Sequence, residues 1–557
     1  FSSSEPIIHF GLDQITTVDS IILQWPEGNK EIMRSVPVDQ RITWKRGTGQ
    51  PYKGFPSVKS NPLFADLKGI PAWKHQENTF VDFKREKLLP YMLSSEGPCL
   101  AVGDVNGDKL DDLYLGNGSG FRKALFIQNK NNSFTESVNP ALRRDSLYED
   151  CGSLLKDMDG DGDNDLIVVS GGSSFNQNDP NYMSRYYVND GKGTFTRVLD
   201  FPIIRTNAGA VLAIDYDNDN DLDLIIAGRS TPGRFPEFPR SYLLRNDKGK
   251  FMDVTHEIFP DLEMLGMISD IKSGDLDGDQ NPEIVFVGEW LPISVFSFNK
   301  TKFENKTVAL GLDKTSGWWK SVLLTDMDND GDLDMFAGNI GKNNRLVTSE
   351  LYPVTLISKD FDGNGSLDPV VCFYFNGQLY PYQGKDALIG QIPKLKKKFV
   401  RYTSYAFASI NDIFTSEELK GATMLKANTF LTLYLVNENK KFVPHPLPYQ
   451  VQLAPVFDMV ADDFNNDGKK DILMAGNFLY SETETGEMDA GNGTLLLQNN
   501  DGSFRFVPNT EHGFWAQDEV RELKEISLAN GDRAILTANN RGPIQMQAIK
   551  NVVHHEE

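Results

Sequence analysis

The chain has 557 residues, 39% of them apolar and 24% charged, with 78 acidic against 56 basic side chains and a net charge of −22. That is ample length for a folded core, and the composition is that of a globular protein, not of a disordered or fibrous one. No apolar run is long enough to span a membrane as a helix, and so acidic a chain is a poor holder of nucleic acid through its phosphates.

Three cysteines (Cys99, Cys151 and Cys372) cannot build a disulfide framework, and they leave the redox compartment open. The sequence starts at Phe1 without Met or a signal peptide, as expected of a fragment or a processed product. Residues 1–48 and 49–95 precede the repeats, the second stretch as a linker. Within it TFVDF (79–83) is a candidate strand for closing a ring against the C-terminal unit.

From residue 96 onward the chain repeats. Acidic nonapeptides of the form D-x-[DN]-x-[DN]-x-x-x-[DE] begin at Asp104, Asp157, Asp215, Asp275, Asp326, Asp360 and Asp463. Each is flanked by short apolar runs such as AVLAI before and LIVVSGG or ILMAGN after, a strand–loop–strand pattern. A second motif interleaves: an apolar pair, Asn, a polar turn, then Phe, as in FIQNKNNSF (126–134), YVNDGKGTF (187–195) and LLRNDKGKF (243–251). It recurs at 296–303, 434–442 and 496–504, and its Asn, Asp and Gly residues mark β-hairpin turns. Four strands per unit at a period of about 50 residues predict an all-β fold, a β-propeller.

The loops at 326 and 360 start only 34 residues apart with no hairpin motif between them. Placed in one blade they give seven blades; placed in separate blades they give eight. Residues 383–430 break the period and predict a partly helical insertion on one face. The last unit, about 518–550, has strands but no acidic loop.

The loops carry the chemistry of a hard cation. Calcium takes six to eight oxygens, and side chains at positions 1, 3, 5 and 9, with the carbonyl of position 7, can wrap around it. The candidate ligands are Asp104, Asn106, Asp108, Leu110 and Asp112 in the first loop, and Asp157, Asp159, Asp161, Asp163 and Asp165 in the second. The third and fourth offer Asp215, Asp217, Asp219, Asp221 and Asp223, then Asp275, Asp277, Asp279, Asn281 and Glu283. Asp326, Asp328, Asp330, Asp332 and Asp334 follow, then Asp360, Asp362, Asn364, Ser366 and Asp368, and last Asp463, Asn465, Asp467, Lys469 and Asp471. An EF-hand starts in the same way but needs an acidic twelfth residue and flanking helices. Here position 12 is Leu115, Val168, Ile226, Phe286, Ala337, Val371 or Met474, so EF-hands are rejected. Four carboxylates in nine residues repel one another without a cation. Seven calcium ions would bring the net charge of −22 to −8. Five to seven structural calcium ions are therefore expected, in preference to magnesium with its strict octahedral geometry.

These loops, each followed by an apolar strand and Gly, resemble the FG-GAP/VCBS-type calcium repeats of integrin-α-like propellers over residues 96–557. HFGL (9–12), VDSIILQWPEG (18–28) and VPVDQRIT (36–43) resemble the C-terminal part of an ASPIC/UnbV domain, with Asp13 and Asp39 departing from its usual Gly and Asn. HQENTFVDF (75–83), LLPYMLSSEGP (88–98) and GEWLPI (288–293) resemble large bacterial surface proteins that combine the two. The resemblance implies export to the extracellular or outer-membrane surface of a Gram-negative bacterium, sometimes beside nutrient-uptake systems. Any membrane contact would run through an anchor or partner outside this sequence. The family's inherited "RNA-binding" label conflicts with the charge balance.

No HExxH, GxSxG or Walker-type motif is present, and His9, His75, His256, His445, His512, His554 and His555 are scattered. Trp290 in GEWLPI and the pair Trp318 and Trp319 in GWWK are candidate ligand-binding aromatics, with packing between blades as the alternative. KLKKKF (394–399) is a basic patch, read either as a solvated face or as a docking surface. The expected function is non-enzymatic binding of a glycan, peptide or envelope partner, with the insertion and the Trp loops as the surface. The alternatives are a polysaccharide-active enzyme using channel carboxylates and a structural subunit of a surface complex.

Overall fold

The computed structural model describes residues 10–25, 29–51 and 62–550. His9 of the HFGL motif and the PEG of WPEG lie outside the described residues. The chain divides into two units, Phe1–Ser60 and Asn61–Glu557.

The first unit holds a three-stranded antiparallel sheet of Thr17–Gln24, Lys30–Pro37 and Gln50–Pro51. Glu31 organises it. Its carboxylate accepts hydrogen bonds from the Gly47 and Gly49 N–H groups (2.7 and 2.9 Å) and from the indoles of Trp25 and Trp44 (2.9 and 3.1 Å). The Gly47 bond leads in holding that carboxyl down at about 2.

Among the described residues the second unit contains eight sheets, seven of four strands and one of five, in which Gly317–Trp318 is the extra strand; seven of the eight form a ring. Their first strands are Leu100–Gly103, Asp150–Lys156, Ala208–Ile214, Met267–Gly274, Ser321–Thr325, Asp458–Asp462 and Val520–Ser527, numbered here as blades 1 to 7. Each touches the next in this order, and the strand of blade 7 returns to that of blade 1. All seven blades line an axial cavity of about 220 Å³. The second strand of a blade is packed between both neighbours. Asp165–Ser170, Asp223–Gly228 and Asp334–Gly338 are accordingly buried at every residue, which is why LIVVS and LIIAG are continuous apolar runs rather than alternating ones.

The ring closes differently from the expectation. TFVDF forms no strand; residues Asp82–Lys84 are a 3-10 turn. The outer strand of blade 7 is instead Phe64–Asp66, paired antiparallel with Gln545–Ile549. Phe64 is 1% exposed and packs against Phe464 and Phe514, at 5.3 Å between ring centres in each case. A short strand contributes one aromatic anchor, and that burial fixes its place.

Blade 5 also departs from the expectation. Its second and third strands, Asp334–Gly338 and Leu433–Asn437, are separated by an insertion that starts well before residue 383. The insertion carries its own sheet, ordered Gln378–Pro381, Asp368–Phe375, Val354–Lys359, Thr423–Ala427. The Asp360 loop belongs to this inserted sheet, not to the sheet that carries Asp326. Four short helices between Lys385 and Leu419 cover one face of it. There are thus eight sheets and seven blades.

The segment 76–98 crosses the ring on the face opposite the acidic loops. Arg85 donates to the Ser173 hydroxyl of blade 2 (2.8 Å), and Tyr91 donates to Glu289 of blade 4. Arg521 of blade 7 donates to the carbonyl of Ser95 (2.9 Å).

Candidate metal centres

All seven acidic loops join antiparallel strand pairs. Six link the first and second strands of blades 1 to 6, and the seventh links Val354–Lys359 to Asp368–Phe375. The local sequence dictates the wrap. Position 4 is Gly or Asn in every loop, and positions 4 and 6 take left-handed φ throughout, for instance 80° at Gly160, 97° at Gly162 and 60° at Asn218. This turns the N–H of position 6 back onto the position 1 carboxylate in all seven loops, at 2.7–3.2 Å.

In five loops three carboxylate oxygens converge within 4.8 Å of one another. The sets are Asp157, Asp159 and Asp165; Asp215, Asp217 and Asp223; and Asp360, Asp362 and Asp368, which are positions 1, 3 and 9. In the other two the sets are Asp275, Asp277 and Asp279, and Asp326, Asp328 and Asp330, positions 1, 3 and 5. The loops at 104 and 463 show no such triad among the described residues. Both have Asn at position 3, and there the amides of Asn106 and Asn465 donate to Asp108 and Asp467 (3.3 and 3.0 Å). Lys469 adds a cation 3.9 Å from Asp467.

The donor set fits a hard divalent cation. Buried oxygens of Asp217, Asp277, Asp326 and Asp362 have no hydrogen-bond partner, as oxygens reserved for a metal would. Burial, reinforced by neighbouring carboxylates, pushes Asp223, Glu283 and Asp471 up to about 7 and Asp112 and Asp165 up to about 6. A cation would relieve that cost.

Position 9 has a second role that sequence reasoning missed. Asp165 accepts the N–H of Met158 within its own loop (3.1 Å) and the N–H of Asn189 from the hairpin motif (2.9 Å). Asp112, Asp223, Asp334 and Asp471 likewise take the N–H of Gln128, Asn246, Asn437 and Gln498 (2.8–3.0 Å). The side-chain amide of that same residue then reaches the neighbouring blade. Asn189 donates to the Val105 carbonyl, Asn246 to Met158, Asn437 to Leu276 and Gln498 to Met327 (2.7–2.9 Å), each at position 2 of the preceding blade's loop. Gln128 donates to Ser527 of blade 7 (3.0 Å). The motif is an inter-blade latch as well as a turn. In blade 4 Phe298 takes the place of the amide and packs on Tyr216 of blade 3 at 4.9 Å.

The tryptophans lie in the core. Trp290, Trp318 and Trp319 are 6, 2 and 0% exposed. Trp290 and Trp318 meet at 5.2 Å, and Trp318 packs on Phe430 of the insertion and Tyr91 of the crossing segment. They present no surface platform. The Lys394 ammonium is paired with Glu418 (2.9 Å), while Lys396 and Lys397 are exposed.

Each acid in the axial cavity has a cation beside it, and Asp458 and Glu522 share one. Asp270 lies 2.8 Å from Lys272, Asp458 and Glu522 lie 3.6 and 3.4 Å from Lys524, and Glu96 lies 3.5 Å from Arg229. Near its covered end, buried Glu289 of blade 4 bonds Arg229 of blade 3 (2.6 Å), Lys320 of blade 5 (2.5 Å) and Tyr91.

Comparisons with known proteins agree with this organisation. The family model described as ASPIC and UnbV matches residues 1–51. The FG-GAP-like repeat model matches three times, at 157–226, 215–286 and 275–337. No curated protein matches the sequence. Similar solved structures include BBS1N in complex with ARL6DN, at 11% identity over 89% of this chain and 99% of that one, with a TM-score of 0.39. The V. cholerae biofilm matrix protein Bap1 is 11% identical over 88% and 92%, with a TM-score of 0.37. An ancestral GH74 enzyme is 9% identical over 97% and 54%, with a TM-score of 0.40. Likenesses this distant carry no argument about function. With its acidic loops set between paired strands around a seven-bladed ring, the chain carries FG-GAP-like repeats over residues 157–337 and an ASPIC and UnbV part over residues 1–51.

Proposed function

We propose that the chain is a calcium-stabilised, non-enzymatic binding or scaffold protein of a bacterial cell surface, which presents its propeller to a glycan, peptide or envelope partner. Calcium is the cation of choice because the converging donors are all oxygens, and dissociation constants of about 10⁻⁴–10⁻³ M are typical of extracellular calcium sites. The surface location rests on the family resemblance. The observation that carries the non-enzymatic half is the pairing of the axial acids. A glycosidase needs two carboxyl groups facing each other across a substrate, roughly 5–10 Å apart. Here Asp270 and Glu96 each face a Lys or Arg, the one close pair, Asp458 and Glu522, has the Lys524 ammonium between its two carboxylates where a substrate would have to lie, and the crossing segment lines one end of the cavity with Glu96 and Pro98.

The test measures bound metal and thermal melting on one sample, in calcium and then in chelator, beside a polysaccharide turnover panel. Five to seven calcium ions, a large drop in melting temperature on chelation and no turnover are expected. One site saturated a hundredfold over its Kd contributes about 2.7 kcal/mol. An unchanged melting curve without bound calcium would sink the metal assignment, and release of product from any polysaccharide would sink the non-enzymatic one.

A further inference from the structure

We propose that the cleft between blade 3 and the inserted sheet is a binding site for a short neutral oligosaccharide. This rests on reading the chain as a binding protein and names the ligand class and the place. The cleft has a volume of about 570 Å³, within the roughly 300–1,000 Å³ range of small-molecule sites.

Its first wall is the segment 231–240 of blade 3, which is held rigid. Glu86 of the crossing segment accepts the N–H groups of Gly233 and Phe235 (3.1 and 2.9 Å). Arg234 clamps Glu237 through two bonds of 2.5 Å, and the Thr206 hydroxyl donates to the Arg240 carbonyl (2.8 Å). A wall already fixed costs a ligand little ordering. The second wall comes from the inserted sheet, where Ser358 and Thr423 are paired across strands and Leu367 precedes Asp368. Leu367 is position 8 of the Asp360 loop, the one acidic loop set outside the ring. A cation held by Asp360, Asp362 and Asp368 would therefore stiffen this wall.

The lining selects the ligand. Phe238, Tyr242 and Met264 offer apolar surface suited to the C–H face of a pyranose. Around them stand hydroxyl, amide and guanidinium groups. The Ser358 hydroxyl is 3% exposed and has no hydrogen-bond partner, and a buried polar group without one calls for a ligand or water. Arg205 is exposed, with no ion pair or side-chain hydrogen bond among the described residues, so its donors are available. Arg240 adds no free charge, because it stacks on Tyr242 at 4.5 Å and pairs with Asp253 and Glu263. Donors around an apolar floor, with one unpaired charge, suit a hydroxyl-rich neutral ligand. The net charge of −22 disfavours a polyanion.

The test is isothermal titration calorimetry on the full chain in saturating calcium. Its probes are gluco-, xylo-, manno- and galacto-tetrasaccharides, with a galacturonate tetramer and a proline-rich decapeptide as comparators. At least one neutral tetramer is expected to bind, and Arg205→Gln and Phe238→Ala are each expected to weaken it about tenfold or more. Arg205 is exposed, so its variant keeps the fold. Asp362→Asn is expected to weaken sugar binding while the calcium ions of the ring remain. The proposal is overturned if no neutral tetramer binds, if only the acidic tetramer or the peptide binds, or if both cleft variants bind as the wild type does. Calcium stoichiometry and melting on the same samples separate the outcomes. Normal calcium binding without sugar binding overturns the cleft alone, whereas absent calcium binding overturns the functional reading beneath it.

Discussion

Asn246→Ala tests whether the hairpin amide is a latch between blades or only a turn former. Asn246 is 1% exposed. Its amide donates to the carbonyls of Met158 in blade 2 and Leu222 in its own blade (2.7 and 2.9 Å), and its oxygen accepts the Gly249 N–H (2.8 Å). Alanine leaves two carbonyls and one N–H without partners. At about 1–1.3 kcal/mol for each, the loss comes to about 3–4 kcal/mol. The propeller unit, Asn61–Glu557, should have an unfolding entropy of about 1 kcal/mol/K at ~2.1 cal/mol/K per residue. The melting temperature in saturating calcium should therefore fall by about 3–4 °C in scanning calorimetry. Asn439→Ala is the comparison, since Asn439 sits at a left-handed hairpin position (φ 55°) and should cost only about 1 kcal/mol through backbone strain. If Asn246→Ala falls no further than Asn439→Ala, the latch contributes nothing and the argument from inter-blade bonding is refuted.

Phe64→Ala should cost about 3–5 kcal/mol in urea unfolding, although Phe64 precedes every repeat, because it is a buried member of the blade 7 core; a loss under 1 kcal/mol would show that the closing strand is dispensable. Glu289→Gln should cost about 3–5 kcal/mol by leaving Lys320 buried without its counter-charge and Arg229 with only the longer contact to Glu96, and an unchanged urea midpoint would contradict the ion cluster as a tie between blades 3, 4 and 5. Burial pushes Glu522 up to about 7, against the attraction of Lys524 and with the repulsion of Asp458. A carboxyl raised on folding binds more protons in the native state, so its contribution is present in full below about 4.5 and is lost as pH rises towards 7. In saturating calcium, Glu522→Gln should remove a slope of up to about 1.4 kcal/mol per pH unit between pH 5 and 7, and identical pH profiles for the two proteins would refute the shift.

The loops were legible because their chemistry is local. Nine residues hold the whole wrap, and the Gly or Asn at position 4 of each announces its left-handed turn. The period placed six loops in the ring, but it could not show that Asp360 stands in a separate sheet. An inserted strand pair flanking an acidic loop has the same sequence pattern as a blade. Trp290, Trp318 and Trp319 read more readily as packing between blades than as a ligand platform, but the sequence alone did not decide it. Trp290 and Trp318 are buried with Tyr91 and Phe430, which lie far away in the chain and were read as parts of a linker and an insertion, while Trp319 packs between blades 4 and 5 with Val285 and Val322. The latch was hidden for a related reason. The amides of Asn189 and Asn246 find carbonyls more than 80 residues upstream, and Phe298 replaces the amide in blade 4, so the motif is not strict. The cleft draws on at least six separate stretches between residues 177 and 423 and has no signature in any one of them.

The pairing of Ala65 with Ala548 sets an order of events during synthesis. Phe64–Asp66 leaves the ribosome before any blade, yet its partner strand, Gln545–Ile549, is made roughly 480 residues later. At about 5–20 residues per second the early strand waits about 25–100 s with its edge unpaired. Throughout that wait six blades can assemble as an open arc with apolar flanks at both ends, a template for joining a second chain. Its three-residue length limits that hazard, because so short an edge offers a stranger little to pair with. The stitch that completes the circle is thus also the stitch least able to bind the wrong partner while it waits.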